Sequence, residues 1–405
     1  MRHLDLLARL AKPDDSKIVL LVLDGVGDLA TAAQPRTALE TAATPNLDRL
    51  AGTGSLGRIV PVATGVTPGS GPGHLALFGY DPVEPANDIG RGVLEALGLG
   101  IALDPDDVTA RGNFATAGAD GNLTDRRAGR IPTAESKSIC ARLNDGLAGF
   151  EGAGVEVVAG EAHRFVLVLR GAGLSAAVDD TDPQALGVPP LAVRATTRGG
   201  EATAELVRRA VEAMERVIAD EPQANRILLR GFSKLPHLPS MAELYRLRLG
   251  AFAGYPLYRG VASACGMEVV DCGKGIDEIL DAVEARWDDF DFFFLHAKQT
   301  DQAGEDGNLA AKAAAIEAVD AALPRLEALG PTVLAVTGDH STPAPMRAHS
   351  FHPVPLLVAA PFAFAEGADR FDERSAARGQ LGTLPSRELL GLLLAHAGRL
   401  EKYGA

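Results

Sequence analysis

Four apolar runs, Ile18–Leu23, Phe290–Leu295, Val333–Val336 and Val354–Val358, constrain this chain more than any other feature. They do not alternate apolar with polar residues, so each would be covered on both faces. That is the mark of parallel strands buried between helices. Between them lie Glu201–Asp220, Gly275–Trp287 and Leu309–Leu329, with apolar residues every three to four positions, the last interrupted by Pro324. Thr44 followed by Pro45 opens a further helix over Pro45–Ala51. This alternation predicts an α/β fold with right-handed crossovers and a mostly parallel sheet flanked by helices.

Between about Thr109 and Pro190 the rhythm changes. Short strand patterns at Arg111–Ala115, Gly121–Asp125, Val155–Val158 and Phe165–Leu169 surround one helical stretch, Thr133–Leu143. That order predicts a small inserted α+β domain over residues 109–190, with 1–108 and 191–405 forming the core. A length of 405 residues admits both. No apolar stretch is long enough to span a membrane, and the N-terminus lacks an apolar segment with a small-residue cleavage site. Cys140, Cys265 and Cys272 form no CxxC pair, so the expectation is a cytoplasmic chain with reduced thiols and no membrane partner. A formal net charge of −14 argues against a nucleic-acid partner.

Polar residues gather at four places where predicted core strands end, the edge at which open α/β sheets bind ligands. Asp24 follows the first strand and precedes Gly25-Val26-Gly27. Ser70 sits in the rigid turn Thr67-Pro68-Gly69-Ser70-Gly71-Pro72-Gly73-His74. His296, Lys298, Asp301 and Glu305 follow the Phe-rich strand; Asp339 and His340 follow the next, with His349 shortly after. Taken singly, Asp24 fits a cap or turn, Ser70 a turn serine, His349 a surface histidine and Lys298 a solvated strand end. Together, carboxylates and imidazoles at successive strand ends suit Zn²⁺ or Mn²⁺ ahead of Mg²⁺. Two such ions would clamp a displacement at phosphorus.

The motifs also resemble a known family. Asp24-Gly-Val-Gly, Thr44-Pro45-Asn46-Leu47-Asp48, Pro68-Gly69-Ser70…His74-Leu75, Phe78-Gly79-Tyr80-Asp81-Pro82, Gly338-Asp339-His340-Ser341-Thr342-Pro343 and His349…Pro353-Val354-Pro355 are similar to the cofactor-independent phosphoglycerate mutases. The likeness is to their archaeal-type branch, within the alkaline phosphatase superfamily, and runs nearly end to end. It implies an alkaline phosphatase-like core, two divalent metal ions, no need for 2,3-bisphosphoglycerate and a small-molecule phosphoglycerate substrate. Self-association into a homo-oligomer stays open.

Residue by residue, the resemblance assigns Asp24, Ser70, Asp339 and His340 to one metal, and Asp301, Glu305 and His349 to the other. The family pattern Asp-x-x-Gly-His reads Asp301-Gln-Ala-Gly-Glu305 here. A carboxylate in place of imidazole raises the ligand charge and favours Mn²⁺ or Mg²⁺ over Zn²⁺ or Co²⁺. By the same resemblance Ser70 is the nucleophile of a phosphoserine mechanism that interconverts 3- and 2-phosphoglycerate in glycolysis and gluconeogenesis. Arg126, Arg127 and Arg130 are the first candidates to hold the substrate, with Arg111, Arg230 and Lys298 behind them. Asp125 and His163 are candidates for proton transfer. A phosphatase or mutase for another phosphorylated metabolite would share the same centre, as would a relative weakened by Glu305.

Overall fold

The computed structural model describes residues 3–150, 152–365 and 367–404. Among them thirteen strands follow in order: β1 (Ile18–Leu23), β2 (Ser55–Val60), β3 (Val108–Ala117), β4 (Leu123–Asp125), β5 (Gly154–Ala159), β6 (Arg164–Arg170), β7 (Arg226–Lys234), β8 (Leu249–Ala253), β9 (Glu268–Val270), β10 (Phe292–Ala297), β11 (Val333–Thr337), β12 (Val354–Ala359) and β13 (Gly382–Pro385). The chain divides into two compact units, Met1–Asp88 with Leu238–Ala405, and Ile89–His237. No described helix is long and apolar enough to cross a membrane.

In the first unit eight strands form one sheet in the order β13-β2-β12-β11-β1-β10-β8-β9. From β11 to β9 every neighbouring pair is parallel, and β13 is parallel to β2. Residues of β1, β10 and β11 are buried throughout, as their unbroken apolar sequence requires. The Val354–Val358 run departs from expectation: β12 is antiparallel to both β11 and β2. No helix lies between β11 and β12, and without a crossover the chain re-enters the sheet in the opposite sense. Unbroken apolarity therefore reports burial on two faces and not strand direction.

The helix Leu309–Ala328 does not break at Pro324. A proline there leaves the carbonyl of Asp320 without its helical donor. Asn46 Nδ2 supplies the bond instead, at 3.1 Å. The Asp320 carboxylate in turn accepts the Asn46 and Leu47 amides at 3.3 and 2.7 Å. These are orphan donors at the start of helix Pro45–Thr53, whose Thr44 makes no side-chain cap.

In the second unit β4, β3, β6 and β5 form an antiparallel path, and β7 pairs with β3. Helices Thr133–Gly146 and Glu201–Val217 bury Ile139, Leu143, Leu206, Val207 and Met214 in one core with Phe114, Phe165, Leu167 and Leu169. The unit is thus wider than the 109–190 span read from the sequence. Its β3 ladder is completed by β7, which lies more than a hundred residues downstream, and helical periodicity in Glu201–Asp220 does not say which sheet that helix covers.

Candidate active site

Because β1, β10 and β11 are adjacent and parallel, their C-terminal ends bring Asp24, Asp301, Asp339 and His340 together. Asp24, Asp339 and His340 present ligand atoms all within 4.8 Å of one another, and so do Asp301, His340 and His349. His340 belongs to both groups. Asp24, Asp339 and His340 are fully buried, and Asp301 nearly so. His340 Nε2 lies 3.2 Å from Asp24 Oδ1, 3.3 Å from Asp339 Oδ2 and 3.2 Å from Ser70 Oγ. His349 Nε2 lies 3.6 Å from Asp301 Oδ1 and 3.8 Å from Glu305 Oε1. Its Nδ1 is held by the carbonyl of Pro68 at 2.9 Å, and its ring stacks on His340 at 3.7 Å. The Glu305 side chain is 55% exposed, so it stands at the rim, beside His349 but outside both tight groups.

This donor set fits divalent cations. Asp24 Oδ1 and Asp339 Oδ2 are buried carboxylate oxygens that accept no hydrogen bond. Their close approaches to His340 lack hydrogen-bond geometry, and one imidazole nitrogen cannot serve two carboxylates and a serine at once. Converging lone pairs that one imidazole proton cannot serve are what a bound cation satisfies. Burial would raise Asp24, but its contacts with His296 and His340 hold it well below the ordinary carboxylate range. Burial would lower His340; Asp339, Asp24 and Asp301 outweigh it and lift the ring to about 9. Lys298 Nζ bridges the two groups, 3.0 Å from Asp24 Oδ2 and 2.5 Å from Asp301 Oδ2. Those two carboxylates overcome its burial and keep it charged.

Ser70 is the first residue of helix Ser70–Leu77, so its Oγ stands at the positive end of the helix dipole. Gly73, one turn on, allows the helix to approach Asp339: a Cβ there would lie 2.5 Å from the Asp339 carbonyl oxygen. Several supporting residues stand behind these groups, and the spacing of His74 four residues after Ser70 marks it as one of them. His74 Nδ1 donates to the Ser70 carbonyl at 2.8 Å and lies 3.2 Å from Asp339 Oδ2. His296 Nε2 donates to Asp24 Oδ2 at 3.2 Å, and Tyr258 stacks on its ring at 3.6 Å. Thr342 Oγ1 touches Asp301 Oδ1 at 2.6 Å and His340 Nδ1 at 3.0 Å. The strand-end position of His296 and the helical i+4 spacing of His74 from Ser70 were the available clues.

The other predicted residues lie in the second unit, where positive charge gathers. Arg111 stands opposite Arg230 across β3 and β7, and Asn113 opposite Arg164 across β3 and β6. Like charges directly opposite in a sheet repel. Arg164 Nε, Arg230 Nε, Asn113 Oδ1 and His163 Nδ1 are buried without hydrogen-bond partners. Burial, then Arg164, Arg127, Arg111 and Arg130, push His163 down to about 4. Burial lowers Arg111 too, opposed by Glu95, with Arg164, Arg91 and Arg230 adding to the fall. Arg126 is committed elsewhere, gripping Asp182 with two bonds of 2.7 and 2.6 Å. Arg230 is 3.6 Å from both Asp180 and Asp182. Both oxygens of Asp125 accept backbone amides, from Arg127 and Gly129 at 2.7 Å, and so hold the turn that carries the exposed Arg127 and Arg130.

Residues 51–224 match the family model described as 2,3-bisphosphoglycerate-independent phosphoglycerate mutase. A Thermus thermophilus protein named as a probable enzyme of that kind is 51% identical over 402 residues, covering 98% of each chain. One from Thermotoga maritima, named likewise, is 44% identical over 402 residues, covering 99% of each. The fold is similar to a solved structure from Pyrococcus horikoshii, with a TM-score of 0.80, 30% identity, and coverage of 96% of this chain and 99% of that one. It is also similar to the cofactor-independent phosphoglycerate mutase of Thermoplasma acidophilum, with a TM-score of 0.73, 31% identity, and coverage of 95% and 100%.

Proposed function

The chain belongs to the 2,3-bisphosphoglycerate-independent phosphoglycerate mutases, isomerases of the intramolecular phosphotransferase class, and from that premise we propose that it interconverts 3-phosphoglycerate and 2-phosphoglycerate through a phosphoserine on Ser70, a step of glycolysis and gluconeogenesis. The observation that carries this reading is Ser70 Oγ at a helix N-terminus, 3.2 Å from His340, beside the buried carboxylates Asp24 and Asp339.

Asp24, Ser70, Asp339 and His340 would hold one divalent ion, and Asp301 and His349, with Glu305 at the rim, a second. Bound there, such ions lower the pKa of the serine hydroxyl and offset charge on the phosphoryl oxygens. Four carboxylates against two imidazoles make the set oxygen-rich, which suits Mn²⁺ or Mg²⁺.

Ser70 gives up its hydroxyl proton and Oγ bonds to phosphorus as the bond from phosphorus to the substrate 3-oxygen breaks, and that oxygen takes a proton. The freed glycerate turns, its 2-hydroxyl gives up a proton and attacks, the Ser70–phosphorus bond breaks, and Ser70 Oγ takes its proton back. Two in-line steps give overall retention at phosphorus. Recognition of the anionic substrate falls to the second unit's basic cluster, with Arg111, Arg230 and Arg164 in it and Arg127 and Arg130 on the adjoining turn. A guanidinium grips phosphate or carboxylate in two-point fashion. Arg126 acts through Asp182, which its two bonds anchor. His163 is the better candidate for proton transfer, since Asp125 spends both oxygens on the turn. Burial first, and then the arginine charges, hold His163 neutral; a phosphate dianion offsets the arginine part, so substrate itself raises the ring's affinity for a proton.

The test is a coupled assay for 2-phosphoglycerate formed from 3-phosphoglycerate with Mn²⁺ and without bisphosphoglycerate. Product should form, Ser70→Ala should abolish it, and acid-quenched enzyme should carry phosphate on Ser70. Release of inorganic phosphate with no isomerised product would overturn the mutase reading.

A further inference from the structure

Lys312 lies near the start of helix Leu309–Ala328 and is completely buried. Burying an ammonium is costly unless every proton finds an acceptor. All three do: Nζ donates to the carbonyls of Gly25 at 2.9 Å, Gly27 at 3.0 Å and Thr342 at 2.8 Å. These acceptors belong to the two loops that carry the candidate ligands. Gly25 follows Asp24 and donates its amide to Asp339 Oδ1 at 3.2 Å. Thr342 comes two residues after His340, and its hydroxyl reaches both His340 and Asp301. The Thr342 amide donates to the carbonyls of Gly25 at 3.2 Å and Gly27 at 3.0 Å, the same two that accept from Lys312. One ammonium therefore closes a ring of hydrogen bonds joining the loop after β1 to the loop after β11. Its own helix follows directly on the segment that bears Asp301 and Glu305.

We propose that Lys312 is a positioning residue for the metal centre, a resident cation that holds the loops of Asp24, Asp301, Asp339 and His340 in ligand geometry before any metal ion binds. The idea deepens the reading of this site as a metal centre and rests on it. Three buried carbonyls that converge on one point repel unless a positive group sits between them, and the carboxylates of Asp28, Glu373, Asp301 and Asp24, in that order, favour a cation there against the cost of its burial. With Lys312 in place that repulsion is already met by the fold. A site assembled by the metal would instead spend part of its binding free energy on ordering the loops.

Two measurements test this. In the first, amide hydrogen exchange is followed on the wild-type chain after chelation. The Thr342 amide should be protected to a degree comparable with β11, and exchange there as fast as in an exposed loop would overturn the proposal. In the second, Mn²⁺ is titrated into folded wild type and Lys312→Met well below their unfolding temperatures. Lys312→Met should bind Mn²⁺ about tenfold or more weakly, as loss of outer support for metal ligands does elsewhere, with KM for phosphoglycerate little changed. Affinity equal to wild type would reduce Lys312 to a structural role and refute the proposal. Should Lys312→Met fail to fold, the exchange result on wild type decides alone. Failure of wild type to bind Mn²⁺ would refute the metal reading itself, and the exchange result would still judge the clamp.

Discussion

Lys298 offers the sharpest test of the site's electrostatics. Its ammonium lies 3.0 Å from Asp24 and 2.5 Å from Asp301, one carboxylate from each ligand group. A divalent ion entering those groups competes with it for the same oxygens. A hydrogen bond between charged partners nets about 1.5–3 kcal/mol. Both carboxylates are buried, but the Lys298 side chain is 21% exposed, so the lower figure applies. That figure is already net of hydration, so displacing the ammonium from one of its two carboxylates costs about 1.5 kcal/mol, or about tenfold in affinity. Lys298→Met, close in shape and without charge, should therefore bind Mn²⁺ about tenfold more tightly than wild type while kcat/KM falls. Titration calorimetry in buffered salt measures the first quantity and the coupled assay the second. Unchanged or weaker Mn²⁺ binding in Lys298→Met would refute the competition argument.

Three further outcomes follow from the geometry. Gly73→Ala places a Cβ 2.5 Å from the Asp339 carbonyl, so the helix bearing Ser70 must retreat; the cost should be about 1–3 kcal/mol in urea unfolding, with a loss of turnover larger than the loss of stability implies. Glu305→His should move the Zn²⁺-to-Mn²⁺ affinity ratio toward Zn²⁺ by about tenfold; a ratio that does not move would remove Glu305 from the ligand set. His163, held at about 4, should show a neutral ring by NMR at pH 6. Since its folded pKa lies below the ordinary value, the unfolded chain takes up the proton first. Stability is thus full above about 6.5, falls as pH drops toward 4 and then levels, by up to roughly 3 kcal/mol, and His163→Gln should lack that part of the slope.

The sequence made some of this plain and hid the rest for physical reasons. Strands buried on both faces must be apolar throughout, so β1, β10 and β11 could be seen in their composition. Polar residues placed just beyond them had to be at the sheet's C-terminal edge, and Asp24, Asp339 and His340 are found together there. The direction of β12 was hidden because burial does not depend on it. The extent of the second unit was hidden because a ladder between β3 and β7 leaves no local pattern. Arg126 looked free to hold an anion; its partner Asp182 stands fifty-six residues away in the chain. Lys312 was invisible in principle, since its acceptors are backbone carbonyls, which every residue possesses.

The bond from Asn46 to the Asp320 carbonyl has a consequence for how this chain can vary. Pro324 creates the vacancy that Asn46 fills, and Asp320 caps the helix on which Asn46 sits. The three positions therefore form one unit of inheritance. With proline at 324, loss of Asn46 strands a carbonyl; with alanine there, the helix supplies its own donor and the asparagine becomes dispensable. Exchanging the proline first therefore avoids the roughly 1–3 kcal/mol that a stranded buried carbonyl costs.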